Sequence, residues 1–309
     1  MARLSPLTPS RLQGSLSHWQ HKLRSQWHNT VHSLSKRHPL SLTSTPPPVD
    51  AASPHSSLPT RGATNRKTFK KILARERHNH PIYIQHLDKI FNVDQNHPCH
   101  ALKDISLTIP QGSVQMLVGP SGAGKTTFLL CLAGLLQPTN GSITMLGQCL
   151  NDLSPAQMEH FRRQHIGMVF QESNLLRSLT ALENVEAMLQ FRGVQGHAAH
   201  RQAQDLLDAV GLHTHLDHLP RHLSGGQQQR VSVARALAGY PPIILADEPT
   251  AALDSKTGHK VVEFMRHMAK DHGCIVIVTT HDTRILDVGD RTGHLHDGIL
   301  SDKPLLPSR

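Results

Sequence analysis

Three short stretches carry side chains at spacings suited to phosphate chemistry. The first is Gly119-Pro-Ser-Gly-Ala-Gly-Lys-Thr-Thr127, set between the apolar run Val114–Val118 and a helix-forming run that begins at Phe128. It follows the order G-x-x-x-x-G-K-[ST], strand before and helix after, expected of a loop that wraps the phosphates of a nucleotide. Gly119, Gly122 and Gly124 let the backbone curl until its N–H groups converge on phosphate oxygens, with Pro120, Ser121 and Ala123 completing the loop. The helix that opens next adds the positive end of its dipole. Lys125 is expected to reach the β- and γ-phosphates, the Thr126 hydroxyl to hold Mg²⁺, and Thr127 to assist at the α-phosphate.

The second stretch is Pro242-Ile-Ile-Leu-Ala-Asp-Glu248. An apolar run of this kind is a buried strand, and its end delivers Asp247 to the Mg²⁺ shell. Glu248 follows immediately, placed to orient or deprotonate an attacking water. The third stretch, Leu223-Ser-Gly-Gly-Gln-Gln-Gln-Arg230, opens another helix at Ser224, Gly225, Gly226 and Gln227, which makes a second anion-ready N-terminus. One nucleotide does not need two such cradles.

That third stretch resembles the signature motif of ATP-binding-cassette (ABC) ATPases, in which the second cradle closes on the ATP of a partner subunit. Other pieces follow in the family's order. Gln171, after the run Ile166–Phe170, resembles the Q-loop glutamine that contacts Mg²⁺ and water and senses the permease. Ala251-Ala-Leu-Asp254 resembles the D-loop at the dimer interface, and His281 in Thr279-Thr-His-Asp282 resembles the switch histidine at the γ-phosphate. Phe91 stands where the family places an aromatic residue, usually Tyr, that stacks on adenine.

The resemblance covers about residues 81–302. It implies an ATPase that takes ATP and Mg²⁺, a homodimer with two ATP molecules sandwiched between subunits, and a separate integral-membrane permease. It also implies a peripheral position on the cytoplasmic face of the inner membrane. Phe170-Gln-Glu-Ser-Asn-Leu-Leu176 and Leu179-Thr-Ala-Leu-Glu-Asn-Val185 are similar to the MacB/LolD group. The tail from Thr280 to Leu300 resembles DevA-type subunits of cyanobacterial exporters. That branch implies a membrane-fusion adaptor, an outer-membrane channel and a glycolipid or other amphipathic cargo. The alternatives are an importer ATPase, an FtsE-like ATPase that transports nothing, and a soluble ABC ATPase.

Positioning these residues requires an α/β fold. Short β-branched runs (Ile82–Gln85, Ile105–Ile109, Val114–Val118, Ile143–Met145, Ile166–Phe170, Ile243–Ala246 and Cys274–Val278) alternate with helical stretches, the pattern of a largely parallel sheet. The resemblance refines this to a RecA-like core with an antiparallel β-subdomain near 81–115. The stretch over about 172–228 interrupts the strand rhythm and reads as an inserted helical subdomain.

Residues 81–309 therefore form one nucleotide-binding domain, and residues 1–80 are a basic, Ser/Pro-rich arm expected to be largely disordered. The formal charge of +9 sits mostly in this arm, where Asp50 and Glu76 are the only acids; the remainder is near neutral. Within the arm, Leu12, Leu16, Trp19, Leu23, Trp27, Val31 and Leu34 share one helical face over 11–37. A membrane-surface helix, a fortuitous pattern and a targeting segment are the three readings of it. No stretch approaches the roughly 20 apolar residues that cross a bilayer. Cys99, Cys131, Cys149 and Cys274 have no metal-ligand spacing and are read as reduced thiols, which fits a cytosolic compartment. His213, His215, His218 and His222, and the basic pairs Lys70–Lys71 and Arg162–Arg163, are read as solvated surface, and no nucleic-acid partner is expected.

Overall fold

The computed structural model describes residues 81–91 and 98–302. The arm over 1–80 and its helix over 11–37 lie outside the described residues. In chain order the elements are β1 (Ile82–Phe91), β2 (Cys99–Ile109), β3 (Val114–Val118), α1 (Lys125–Leu132), β4 (Asn140–Met145) and β5 (Gln148–Cys149). There follow α2 (Pro155–His165), β6 (Ile166–Val169), α3 (Ala181–Phe191), α4 (Gly196–Ala209) and α5 (Gly225–Leu237). The chain ends with β7 (Ile243–Asp247), α6 (Ser255–His272), β8 (Ile275–Thr280), β9 (Arg291–His296) and β10 (Ile299–Ser301).

The central sheet has the order β10-β9-β3-β8-β7-β6, parallel throughout except for β10 at the edge. Its inner strands are continuous apolar runs because both faces are covered. Alternation divides each run between two cores. Val276 and Val278 of β8, and Ile244 and Ala246 of β7, face the core built with α3, α4, α5 and α6. Ile275 and Ile277, with Ile243 and Leu245, face the core built with Phe128, Leu129 and Leu132 of α1.

The second sheet, β2-β1-β4-β5, is antiparallel. It differs from the expected 81–115 span by recruiting β4 and β5 from beyond α1, so β3, the phosphate loop and α1 together are flanked in sequence by strands of one sheet. The expected helical segment holds α3 and α4 and runs into α5. Strands β9 and β10 were not expected. Arg291-Thr-Gly-His-Leu-His296 lacks an apolar run because β9 buries only Gly293 and Leu295.

Capping sets where the helices begin. Ser154 before α2, Thr180 before α3 and Ser224 before α5 each form a reciprocal box with a Gln or Glu three residues on. Asp254 caps α6 by accepting from Thr257 N at 3.0 Å. Helix α1 differs: its N-cap is Gly124 at φ 102°, with no side-chain cap.

Candidate functional site

The phosphate loop leaves β3 and is wedged between the two sheets. A Cβ at Gly119 would lie 2.1 Å from the Leu295 carbonyl oxygen of β9, and one at Gly124 would lie 2.5 Å from the Ala101 carbonyl oxygen of β2. Only glycine fits at either position, and Gly124 also needs its left-handed φ. The loop thus holds its curve by contact with backbone on both sides. Ser121 and Gly122 stand exposed at its tip, whereas Ala123 is buried beneath.

Lys125 is the first residue of α1 and is 6% exposed. Its ammonium donates to the carbonyls of Gly119 at 2.8 Å and Pro120 at 3.0 Å, and lies 3.5 Å from Glu248 Oε1. A cation this far from water requires oxygen neighbours. Carbonyls and a distant carboxylate satisfy it less well than phosphate oxygens can. The uncapped N–H groups at the start of α1 point to the same ligand chemistry.

Strand β7 is buried along its length and brings Asp247 to the loop. Thr126 Oγ1 donates to Asp247 Oδ2 at 2.7 Å, and Thr279 Oγ1 donates to Asp247 Oδ1 at 2.6 Å. A hydroxyl and a carboxylate side by side are hard oxygen donors of the kind Mg²⁺ takes together with substrate phosphates. The donor set fits that ion. Thr279, at the end of β8, was missed in the sequence, where a threonine closing an apolar strand carries no special signal.

Glu248 sits one residue beyond β7 at φ 45°, a left-handed conformation uncommon for a glutamate. Its N–H donates to the Thr279 carbonyl at 3.0 Å, which fixes the turn. The carboxylate lies between two cationic or polar partners, with Lys125 Nζ near Oε1 and His281 Nδ1 2.8 Å from Oε2. Lys125, Glu248 and His281, separated widely in sequence, are thereby brought into one line. Beside it a cleft of about 300 Å³ is lined by Gly119, Pro120, His281, His294 and His296. The last two imidazoles were not anticipated, because β9 itself was not.

The remaining candidates are farther apart. Gln171 stands exposed just past β6, and its side chain makes no hydrogen bond to the other site residues among those described. Its segment is held from behind by α5. Gln229 Nε2 donates to the Phe170 carbonyl at 3.2 Å, and Arg235 donates to the carbonyls of Asn174 at 2.7 Å and Ser173 at 3.0 Å. Phe91 ends β1 half-buried, with Lys89 Nζ 5.0 Å from its ring centroid. Ser224 and Gln227 lock each other, Ser224 N donating to Gln227 Oε1 at 2.8 Å and Gln227 N to Ser224 Oγ at 3.2 Å. Gly225 is exposed beside them. Asp254 is exposed, and hydrogen bonds from the Thr257 side chain and N–H hold its carboxyl below the usual range. Thr127 is half-buried on α1.

Among the described residues no group of three or more His, Cys, Asp or Glu could hold a metal ion on its own. The four cysteines are free; burial pushes the Cys131 thiol up to about 11 and the Cys274 thiol to about 12. No helix among the described residues is long and apolar enough to cross a membrane.

Known proteins resemble this chain in sequence and fold. The family pattern described as ABC transporter matches residues 102–251. The ABC transporter ATP-binding protein YtrE of Bacillus subtilis (strain 168) is 40% identical over 222 residues, which is 71% of this chain and 96% of YtrE. The macrolide export ATP-binding/permease protein MacB of Salmonella choleraesuis (strain SC-B67) is 40% identical over 221 residues, 70% of this chain but 34% of MacB. Among solved structures, the dimeric post-hydrolysis state of the ATP-binding cassette MJ0796 bound to ADP and Pi matches with a TM-score of 0.67 at 40% identity. It covers 70% of this chain and 95% of that one; a protein of that name comes from Methanocaldococcus jannaschii. Spanning nearly all of YtrE at that identity and folded as the cassette is folded, the chain belongs to the ABC transporter family as an ATP-binding, ATP-hydrolysing cassette.

Proposed function

We propose that this cassette powers export of an amphipathic compound, such as a glycolipid, through a separate membrane permease, working as a homodimer that sandwiches two ATP molecules. It would stand peripherally on the cytoplasmic face of the inner membrane. The observation that carries the ATPase part is the line Lys125–Glu248–His281 beside the Thr126–Asp247 pair. The export part rests on the likeness to MacB, which also motivates a membrane-fusion adaptor and an outer-membrane channel as further partners. The DevA-like tail adds the glycolipid cargo class.

In this reading residues 119–127 bind the phosphates, with Lys125 exchanging its two carbonyl partners for β- and γ-phosphate oxygens. Thr126, Asp247 and Gln171 would hold Mg²⁺, which would neutralise charge on those oxygens. Glu248 accepts a proton from the attacking water as the water oxygen bonds to the γ-phosphorus and the bond to the ADP oxygen breaks. His281 keeps the Glu248 carboxylate turned toward that water and contacts the γ-phosphate. Phe91 stacks on adenine. Ser224, Gly225, Gly226 and Gln227 of one subunit close on the ATP of the other, and Asp254 lies at the crossing between them. Closure draws the helical subdomains together and moves the permease through the segment around Gln171–Val185.

Glu248→Gln tests the chemistry. The amide keeps the shape but cannot take the proton, so turnover falls about 10²- to 10³-fold while ATP binding persists and an ATP-dependent dimer accumulates. Steady-state turnover near that of the unmodified protein would remove Glu248 as the base. Affinity purification from native membranes tests the transport half. A permease with a large extracytoplasmic part, with an adaptor, supports export, whereas a substrate-binding protein would redirect the reading to import.

A further inference from the structure

The layer formed by α3, α4 and the start of α5 leaves the core after β6 and returns to it at β7. Both crossings are held through backbone carbonyls. At the exit, Gln229 and Arg235 of α5 hold residues 170–174, as described above. The return is Ala238-Gly239-Tyr240, the turn between α5 and β7, and it is built around Arg192.

Arg192 closes the C-terminus of α3 and is 7% exposed. Its guanidinium fork reaches three carbonyls from three different elements. Nε donates to Arg163 of α2 at 3.0 Å, Nη2 to Ile166 at the start of β6 at 2.7 Å, and Nη1 to Ala238 at the end of α5. No carboxylate pairs with it among the described residues. Burial lowers its pKa to about 10, so it keeps its charge at neutral pH. A buried cation satisfied by neutral carbonyls alone is a costly way to fill space, and apolar packing would be cheaper.

The turn it grips is shaped to receive it. Gly239 lies at φ 75°, and a Cβ there would stand 2.8 Å from Arg192 Cδ. Tyr240 follows at φ 54°, a left-handed conformation that costs an aromatic residue energy unless neighbours impose it. Tyr240 is buried, and its hydroxyl lies against the Gln202 side chain of α4. The return turn is therefore held from α3 by Arg192 and from α4 by Gln202.

Arg192 sits at one end of α5 and Ser224 at the other. The helix has 13 residues, so the two ends are about 20 Å apart. Over that arm a tilt of about 5° at the Arg192 end moves Ser224 by about 2 Å, and a misplacement of about 1 Å already costs about 100-fold in a reaction that depends on alignment. We propose that Arg192 is a positioning residue, the pin about which the α3–α5 layer turns on the core. It sets where Ser224–Gly226 stands against the nucleotide of a partner subunit. The inference rests on the sandwich reading above. The planar fork suits this task because its three bonds converge on one point and go to main-chain atoms, so the seat is fixed while the layer pivots.

The test uses Arg192→Met, which keeps the stem without the fork, and Arg192→Lys, which keeps the charge with a single donor head and serves alone if the methionine variant does not accumulate. Turnover is expected to fall about tenfold, the size of losing charged hydrogen bonds, with less loss for lysine. Affinity of dilute monomer for a fluorescent ATP analogue should stay within about twofold, since Lys125 begins α1, which packs in the other core, away from the α3–α5 layer. Unchanged turnover, or a fall in turnover matched by an equal fall in monomer affinity, overturns the pin. The ATP-dependent dimer of Glu248→Gln, followed by light scattering, separates the two ideas. If it forms and Arg192→Lys in that background weakens it about tenfold, the pin stands. If it forms and Arg192→Lys leaves it unchanged, the pin alone falls. If Glu248→Gln never dimerises with ATP, the sandwich falls and the pin falls with it.

Discussion

The helix after the phosphate loop and the helix after Leu223 both begin in glycine-containing turns, yet their first turns are finished in opposite ways. Helix α1 has Gly124 as its N-cap, no side chain over its N–H groups, and the buried ammonium of Lys125 beside them. Helix α5 is closed by its own Ser224–Gln227 box, carries no cation in its first turn and stands at the surface. The first cradle is complete in one chain: donors, cation and the Thr126–Asp247 oxygens all converge. The second is already satisfied in isolation. An anion site built to half strength and open at the surface makes sense when a second body supplies the rest, which is why a two-subunit sandwich explains it better than a second nucleotide in the same subunit.

The largest expected effect separates the two cradles by affinity. Lys125→Ala should weaken ATP binding by the monomer about 100-fold or more, on the order of 3 kcal/mol, by removing the charged donor to phosphate. Ser224→Ala should leave monomer affinity within about twofold while lowering thermal stability by about 1 kcal/mol through loss of the cap. Equilibrium titration with a fluorescent nucleotide at protein concentrations too low for dimers decides it. Equal losses in both variants would mean that one subunit uses both cradles on one nucleotide.

The next effect is on folding. Gly124→Ala must place a Cβ at φ 102° and 2.5 Å from the Ala101 carbonyl, so urea unfolding should show a loss of about 2–3 kcal/mol. A smaller loss would mean that the loop is less tightly wedged between the sheets than its glycines imply.

Acid should then destabilise the fold at the C-terminus of α2, next to the seat of the α3–α5 layer. Burial holds the His165 imidazole down at about 4, with the charges of His160 and Arg192 acting in the same direction. The unfolded chain binds this proton more readily, so the contribution is intact above about pH 6.5 and is lost as pH falls toward 4. It amounts to up to about 3 kcal/mol at the acid end. In His165→Gln the slope of stability against pH across that window should flatten. An unchanged slope would assign the acid sensitivity to other groups.

How much of this could be read without coordinates differs between the two regions for a physical reason. The phosphate loop was legible because its ligand groups are its own glycines, lysine and threonine, set between an apolar strand and a helix. Asp247 and Glu248 were legible at the end of the apolar run of β7. Thr279, which braces Asp247, was not, since a threonine at a strand end is ordinary until its partner is known. Strand β9 was hidden by its polar alternation, and His294 and His296 were hidden with it. The seat of the α3–α5 layer was invisible for a different reason. Arg192, Gln229 and Arg235 all grip backbone carbonyls, and every residue has a carbonyl, so no partner type marks the contact in sequence.

The smallest expected effect is the most discriminating. Gly225 is not in the left-handed region, and a Cβ added there would meet Ala252 Cβ at 3.9 Å, an ordinary contact. Nothing in the fold of one subunit requires glycine at this position. Gly225→Ala should therefore leave the monomer as stable or raise it by about 0.5 kcal/mol, as alanine does in helices, and leave monomer nucleotide affinity unchanged. Gly226 is less informative, because its Cβ would lie 3.0 Å from the Ala252 carbonyl and would disturb the chain itself. If the second cradle closes on a partner's nucleotide, the added methyl stands in the approach path, and turnover measured at high protein concentration should fall about tenfold despite the intact monomer. A variant that is stable, binds nucleotide and also turns over normally would show that nothing comes close to Gly225, and the reason for a second glycine-rich helix start would have to be sought elsewhere.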